Sequence, residues 1–171
     1  MSVPNPPAAK APGSALQRPH ILAVTDDEGL KAFLVDGLVA GGFWLSVVAS
    51  AIQTLEVLRL RSFDLLLVDE QLSGLSAHEL IRRIRGRTSG ALPEDAPILL
   101  MSERDDATLA PADAEVGIAQ MLIPPIDLED LVPLLHHHVL TWRAQHPGVP
   151  WADEVAQLRP NENNQPDSPS P

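Results

Sequence analysis

The 171-residue chain carries 23 acidic side chains against 12 Lys and Arg, a net charge of −11, with 44% hydrophobic residues and no cysteine. That balance argues against a surface built for nucleic acid, and the missing cysteines exclude disulfides and thiolate metal sites. No apolar run approaches the ~20 residues of a membrane-spanning helix, and the length suits one domain with tails.

Residues 1–18 hold four of the 17 prolines and read as a disordered Pro/Ala-rich tail; with no apolar core in this stretch and no cysteine anywhere, a cytoplasmic protein is expected. The domain is expected over 19–145. His20–Val24 reads as a first strand ending at "TDDE", followed by Leu30, Phe33, Leu34 and Leu38 at helical spacing until Gly41-Gly42 stops the helix. "WLSVVA" predicts a second strand and "IQTLEVLRLRS" a second helix. "DLLLVD" (64–69) predicts a third strand buried on both faces, because its apolar run is continuous rather than alternating. "SAHELIRRIRGR" is amphipathic with Ser76 as N-cap. Its Arg82, Arg83, Arg85 and Arg87 make a basic end that complements the helix dipole. "PILLMS" is a fourth strand, "DDATLAPADAEVG" a weaker helix interrupted by Pro111, and "AQMLI" a fifth strand. Asp127 is placed to cap a last helix through about Trp142, interrupted by Pro133. Residues 146–171 read as a second, mostly disordered tail in which "WADEVAQL" can form two turns of helix and dock. The run His136–His138 is no chelate, since neighbouring helical residues point about 100° apart.

Five strands alternating with five helices predict an α/β fold, a doubly wound five-stranded parallel sheet. In such sheets functional groups gather at the carboxyl ends of the strands, beside the switch in strand order. Thr25, Asp26, Asp27, Asp69, Ser102 and Pro124-Pro125 occupy those ends. No Gly-rich phosphate loop follows the first strand, which counts against a cofactor-binding enzyme on the same topology.

The order and spacing of these residues over about 20–140 resemble the receiver domain of two-component response regulators. The resemblance puts Asp69 at the phosphoacceptor position, Asp26 at the second acid after the first strand, and Gln71 where a backbone carbonyl helps bind Mg²⁺. Gly74 matches the following loop, and Ser102 the switch hydroxyl. It implies Mg²⁺ held by Asp26, Asp69 and the Gln71 carbonyl, a histidine kinase or other signalling protein as partner, and no enzyme; the charge and the lack of a long apolar run add the expectation of no nucleic acid and no membrane. The chain departs from the pattern at Thr25, where an acid is usual, at Ser73 and Ala77 in the loop, at Met121, where the family has an aromatic switch, and at Pro124, where it has a lysine. Losing an acid weakens the metal site, and losing the lysine removes a charge-assisted hydrogen bond worth about 1.5–3 kcal/mol. Arg104 is the nearest basic residue to stand in. The implied function is a stand-alone atypical receiver with no output module after residue 145, signalling through protein contacts. The alternative is a phosphorylation-independent pseudo-receiver that acts as a protein-binding module.

Overall fold

A parallel five-stranded sheet in the order β2-β1-β3-β4-β5 forms the centre of the computed structural model, which describes residues 17–86, 92–93, 95–105 and 108–158. The strands are β1 (His20–Val24), β2 (Trp44–Val48), β3 (Leu65–Asp69), β4 (Ile98–Met101) and β5 (Gln120–Leu122). The helices between and after them are α1 (Glu28–Ala40), α2 (Ala51–Leu60), α3 (Ala77–Arg85), α4 (Pro111–Glu115), α5 (Leu128–Gln145) and α6 (Ala152–Leu158). Successive strand residues face opposite sides, so each strand feeds two cores. Leu22, Val24, Leu66, Val68 and Leu100 pack with Leu58, Leu80, Ile81 and Ile84 of α2 and α3. Ile21, Ala23, Leu65, Leu67 and Leu99 pack with Leu34, Leu38, Leu131, Leu135 and Val139 of α1 and α5. All five residues of β3 are buried, as its unbroken apolar run requires.

Local chemistry sets the helix ends. Asp27 caps α1 by accepting from the Leu30 N–H at 2.7 Å. At the other end, Gly42 takes a positive φ of 94°, and the N–H groups of Gly42 and Phe43 return to the carbonyls of Val39 and Leu38. That closing pair fixes where the chain enters β2. Ser76 caps α3 through the Glu79 N–H, as its spacing predicts.

Both prolines expected to interrupt helices behave otherwise. Pro111 is the first residue of α4, where its missing N–H has no intrahelical partner to lose, so the helix begins there and runs only to Glu115. Pro133 lies inside α5, which continues to Gln145; only one ladder bond is lost, and Leu131, Leu135, Val139 and Trp142 anchor the helix on both sides of it. The arginines of α3 are engaged: Arg82 and Arg83 pair with Glu79, and Arg85 donates to the Ala96 and Gly117 carbonyls. Arg87, most of the N-terminal tail and residues 159–171 lie outside the described residues. His136 bonds the Gly41 carbonyl and His138 the Gln120 side chain, so the two face different neighbours.

Packing continues past residue 145, the expected end of the domain. Trp151 joins the α1–α5 core, and the Arg143 guanidinium lies 3.7 Å from the centre of its ring. Buried Asp64 ties the start of β1 to the start of α6, accepting from the His20 N–H at 2.8 Å and the Ala152 N–H at 3.1 Å. Burial raises the Asp64 pKa, opposed by those two N–H groups. Asp64→Asn relieves the buried charge but turns an amide NH₂ toward one donor. We expect a net loss of about 1 kcal/mol, with faster amide exchange at Ala152 and His20 and none at β3, measured by hydrogen exchange. Equal exchange at Ala152 in both proteins would show that Asp64 does not hold α6.

Candidate active site

The strand order reverses direction at β1, whose partners are β2 on one side and β3 on the other. Crossovers therefore leave the sheet in opposite directions from β1 and β3, opening a crevice at their carboxyl ends. A cleft of about 340 Å³ lies there, lined by Asp26, Asp27, Asp69, Gln71, Ser102 and Pro124 among others. Asp26, Asp69, Gln71 and Ser102, the residues singled out in the sequence, thus meet in one place. Asp69 closes β3 at the mouth of the crevice, only 7% exposed.

Asp69 is held by two donors. The Thr25 hydroxyl donates to Oδ2 at 2.8 Å and the Gln71 N–H to Oδ1 at 2.9 Å. Thr25 itself is 2% exposed and accepts from the Asp27 N–H at 3.1 Å. Threonine at this position replaces a second negative charge by a hydrogen bond that fixes the carboxylate. Asp26 points to the loop after β3, where its Oδ2 accepts from Ser73 at 2.9 Å. Gly74 adopts a φ of 84°, a turn conformation in that loop that glycine takes without strain. Of the adjacent acids, Asp27 is the helix cap and Asp26 bonds Ser73 at the edge of the cleft.

Ser102 lies in the cleft, as its place at the end of β4 predicts, whereas Arg104 does not. The Ser102 hydroxyl donates to Glu70 rather than to Asp69. The guanidinium of Arg104, the expected stand-in for lysine, donates to Glu70 Oε1 at 2.8 Å and to Asp113 Oδ2 at 2.8 Å. The reason is electrostatic: two carboxylates flank the β4–α4 connection, and a guanidinium with five donors satisfies both. Those bonds raise the Arg104 pKa further. Burial works against Asp113 ionising, yet Arg104, His78 and the Ala110 N–H hold its pKa down to about 2. This network was missed in the sequence, because Glu70, His78 and Asp113 are far apart along the chain. Met121, at the aromatic switch position, is buried in the α2–α3 core.

No described residue lining the cleft is basic, and four are acidic: Asp26, Asp27, Asp69 and Glu103. Carboxylates and a carbonyl form an all-oxygen donor set, which fits a hard divalent cation such as Mg²⁺ that retains several waters. Among the described residues no group of three or more His, Asp or Glu side chains is arranged to hold a metal.

The model of the response regulator receiver domain matches residues 21–136. The response regulator protein FleR of Pseudomonas aeruginosa is 32% identical over 120 residues, 70% of this chain and 24% of FleR. A two-component response regulator of Oryza sativa subsp. japonica is 25% identical over 162 residues, 92% of this chain and 24% of that protein. The chain spans about a quarter of the length of these relatives. Among solved structures, the signal receiver domain of an HD domain-containing protein from Pseudomonas fluorescens superimposes with a TM-score of 0.65 at 23% identity, covering 75% of this chain and 99% of that one. The receiver domain of a sensor histidine kinase from Pseudomonas aeruginosa, described with a magnesium ion coordinated in its active site cleft, gives 0.60 at 22% identity, covering 72% and 98%. No helix among the described residues is long and apolar enough to cross a membrane. By the match over residues 21–136, with the sheet order that accompanies it, the chain belongs to the response regulator receiver domain family of two-component signalling.

Proposed function

We propose that this receiver takes a phosphoryl group on Asp69, with Mg²⁺ held by Asp26, Asp69 and the Gln71 carbonyl, and passes the signal through protein contacts made by the receiver itself. The observation that carries this reading is the placement of the Asp69 and Asp26 carboxylates on one cleft at the strand switch. The donor is a histidine kinase or another phosphorylated signalling protein in the cytoplasm, and the family is a signalling module rather than an enzyme class.

An Asp69 oxygen attacks phosphorus while the bond to the donor nitrogen breaks; the nitrogen keeps the electron pair and takes a proton from solvent. Thr25 and the Gln71 N–H fix the carboxylate, so one rotamer faces the incoming group. Asp26, Asp69 and the Gln71 carbonyl would hold Mg²⁺, which would supply the positive charge that this acidic cleft lacks. With Pro124 in place of a lysine, no side chain among the described residues of the cleft lining donates from a cation, so uptake depends strongly on the metal.

Intact mass spectrometry after incubation with a small phosphodonor tests the reading. The expected result is the gain of one phosphoryl group, dependent on Mg²⁺ and absent in Asp69→Asn. No gain at any Mg²⁺ concentration would assign the chain to the alternative, a phosphorylation-independent protein-binding module.

A further inference from the structure

Five side chains at the end of β4 form one connected set. The Ser102 hydroxyl donates to Glu70, and the Arg104 N–H donates back to Ser102 Oγ at 3.3 Å. Arg104 joins Glu70 Oε1 to Asp113, whose carboxylate is fully buried. Asp113 also accepts from the Ala110 N–H at 2.8 Å and bonds His78 Nε2 at 2.5 Å, which ties the start of α4 to α3. Every polar atom named here has a partner, so the set is a closed structure rather than a vacant ligand site.

Glu70 directly follows Asp69 and accepts from both Ser102, a hydroxyl of the cleft lining, and Arg104. Ser102 is the hydroxyl of the cleft lining, and Arg104 is the cation nearest to it in sequence. A phosphoryl group and the Glu70 carboxylate are anions of similar hydrogen-bonding demand, and a hydroxyl proton serves one acceptor at a time. For Ser102 to donate to a phosphoryl oxygen, it must leave Glu70. The second half of the set resists that move, since Arg104 is clamped on its far side by a buried carboxylate.

We infer that Glu70 is a positioning residue and an internal competitor: it holds Ser102 and Arg104 away from the Asp69 phosphoryl site and latches the β4–α4 connection in the unphosphorylated state. The inference rests on the reading of Asp69 as phosphoacceptor. Removal of Glu70 should therefore unlatch the connection and, separately, strengthen the hold on a phosphoryl group.

The test compares the parent with Glu70→Ala, Glu70→Gln, Arg104→Ala and the double variant Glu70→Ala/Arg104→Ala, with thermal unfolding as a check of folding. Without phosphodonor, Glu70→Ala should speed amide exchange at Arg104 and Ala110 roughly tenfold, and Glu70→Gln less. In the Arg104→Ala background the same change should add nothing at Ala110, because the two residues act as one unit. With Mg²⁺ and fluoroberyllate as a phosphoryl mimic, Glu70→Ala should bind roughly tenfold tighter than the parent, and that gain should vanish when Ser102→Ala is added. A merely structural role for Glu70 would leave the fluoroberyllate affinity unmoved or weakened. Unchanged amide exchange in Glu70→Ala overturns the latch whatever the phosphoryl chemistry. Binding by the parent without tightening in Glu70→Ala overturns the competitor role alone. Loosened amides with no fluoroberyllate binding by any variant overturn the reading of Asp69, and the competitor role falls with it.

Discussion

Pro124→Lys is expected to raise phosphoryl uptake by this receiver more than any other single change. The cleft beside Asp69 contains Asp26, Asp27 and Glu103 but no basic side chain among its described lining residues, and Pro124 is part of its wall. A phosphoryl group added there meets negative charge on three sides. An ammonium at position 124 offers three donors and a positive charge, and a charge-assisted hydrogen bond contributes about 1.5–3 kcal/mol, or roughly tenfold to a hundredfold in binding. The affinity for fluoroberyllate in the presence of Mg²⁺ should rise by that factor, and the rate of phosphoryl gain by mass spectrometry should rise with it. The same ammonium repels a divalent cation on Asp26 and Asp69, so Mg²⁺ affinity without the mimic should fall. Opposite movement of the two affinities separates a specific effect from a general change in cleft shape. Pro124→Leu, which changes shape without charge, should raise neither. If the lysine variant gains nothing, the wall at position 124 does not face the phosphoryl position and the reading of the cleft fails.

Much of this arrangement was legible in the sequence, and the reasons are specific. The continuous run Leu65–Val68 could only be a strand covered on both faces, and β3 is buried throughout. The spacing of Leu34 and Leu38 named the face of α1 that packs on the sheet, and Ser76 marked the start of α3. Asp26, Asp69, Gln71 and Ser102 reach one cleft because topology alone brings strand ends together. What the sequence hid was competition for donors. Which of two adjacent acids caps α1 depends on one backbone turn, and Asp27 takes that role while Asp26 bonds Ser73. Arg104 was read as a stand-in for lysine from its place after Ser102, but Glu70 and Asp113 capture it first. Asp113 sits in a helix of five residues whose pattern is too short to announce a buried carboxylate. The prolines misled for a related reason: position within the helix, rather than presence, decides whether a proline breaks it.

Receiver chemistry and receiver readout separate in this chain. The groups that would accept a phosphoryl group, Asp69 with Thr25 and the Gln71 N–H, are fixed by direct hydrogen bonds. The groups that would sense it, Ser102 and the β4–α4 connection, are bound to Glu70 and Asp113 instead. Loss of the lysine and capture of Ser102 act in the same direction, because both remove donors from the phosphoryl oxygens. Under the proposed function, the strength of the network around Glu70 and Asp113 sets how much a phosphoryl group can change at Ser102 and Arg104.

The strength of the network is measurable through Asp113→Asn, which keeps the shape and removes the charge. At neutral pH the parent carboxylate accepts from Arg104, His78 and the Ala110 N–H while fully buried. An amide cannot match a guanidinium in charge and turns an NH₂ toward one of its donors, so the variant should lose about 2–3 kcal/mol of stability in urea unfolding. The pH dependence has a definite sign. The Asp113 pKa in the folded protein, about 2, lies below the ordinary 3.8, so the unfolded chain takes up the proton first as pH falls. The stabilisation is complete above about pH 4 and is lost as pH drops through about 2. Other carboxylates add an acid-dependent fall common to both proteins, so the informative quantity is the difference between parent and variant. That difference should be largest near neutrality, shrink between about pH 4 and pH 2, and approach a small residual below it. A constant difference across this range would mean that the charge of Asp113 does not hold Arg104, and the link from α4 to Glu70 would then rest on packing alone.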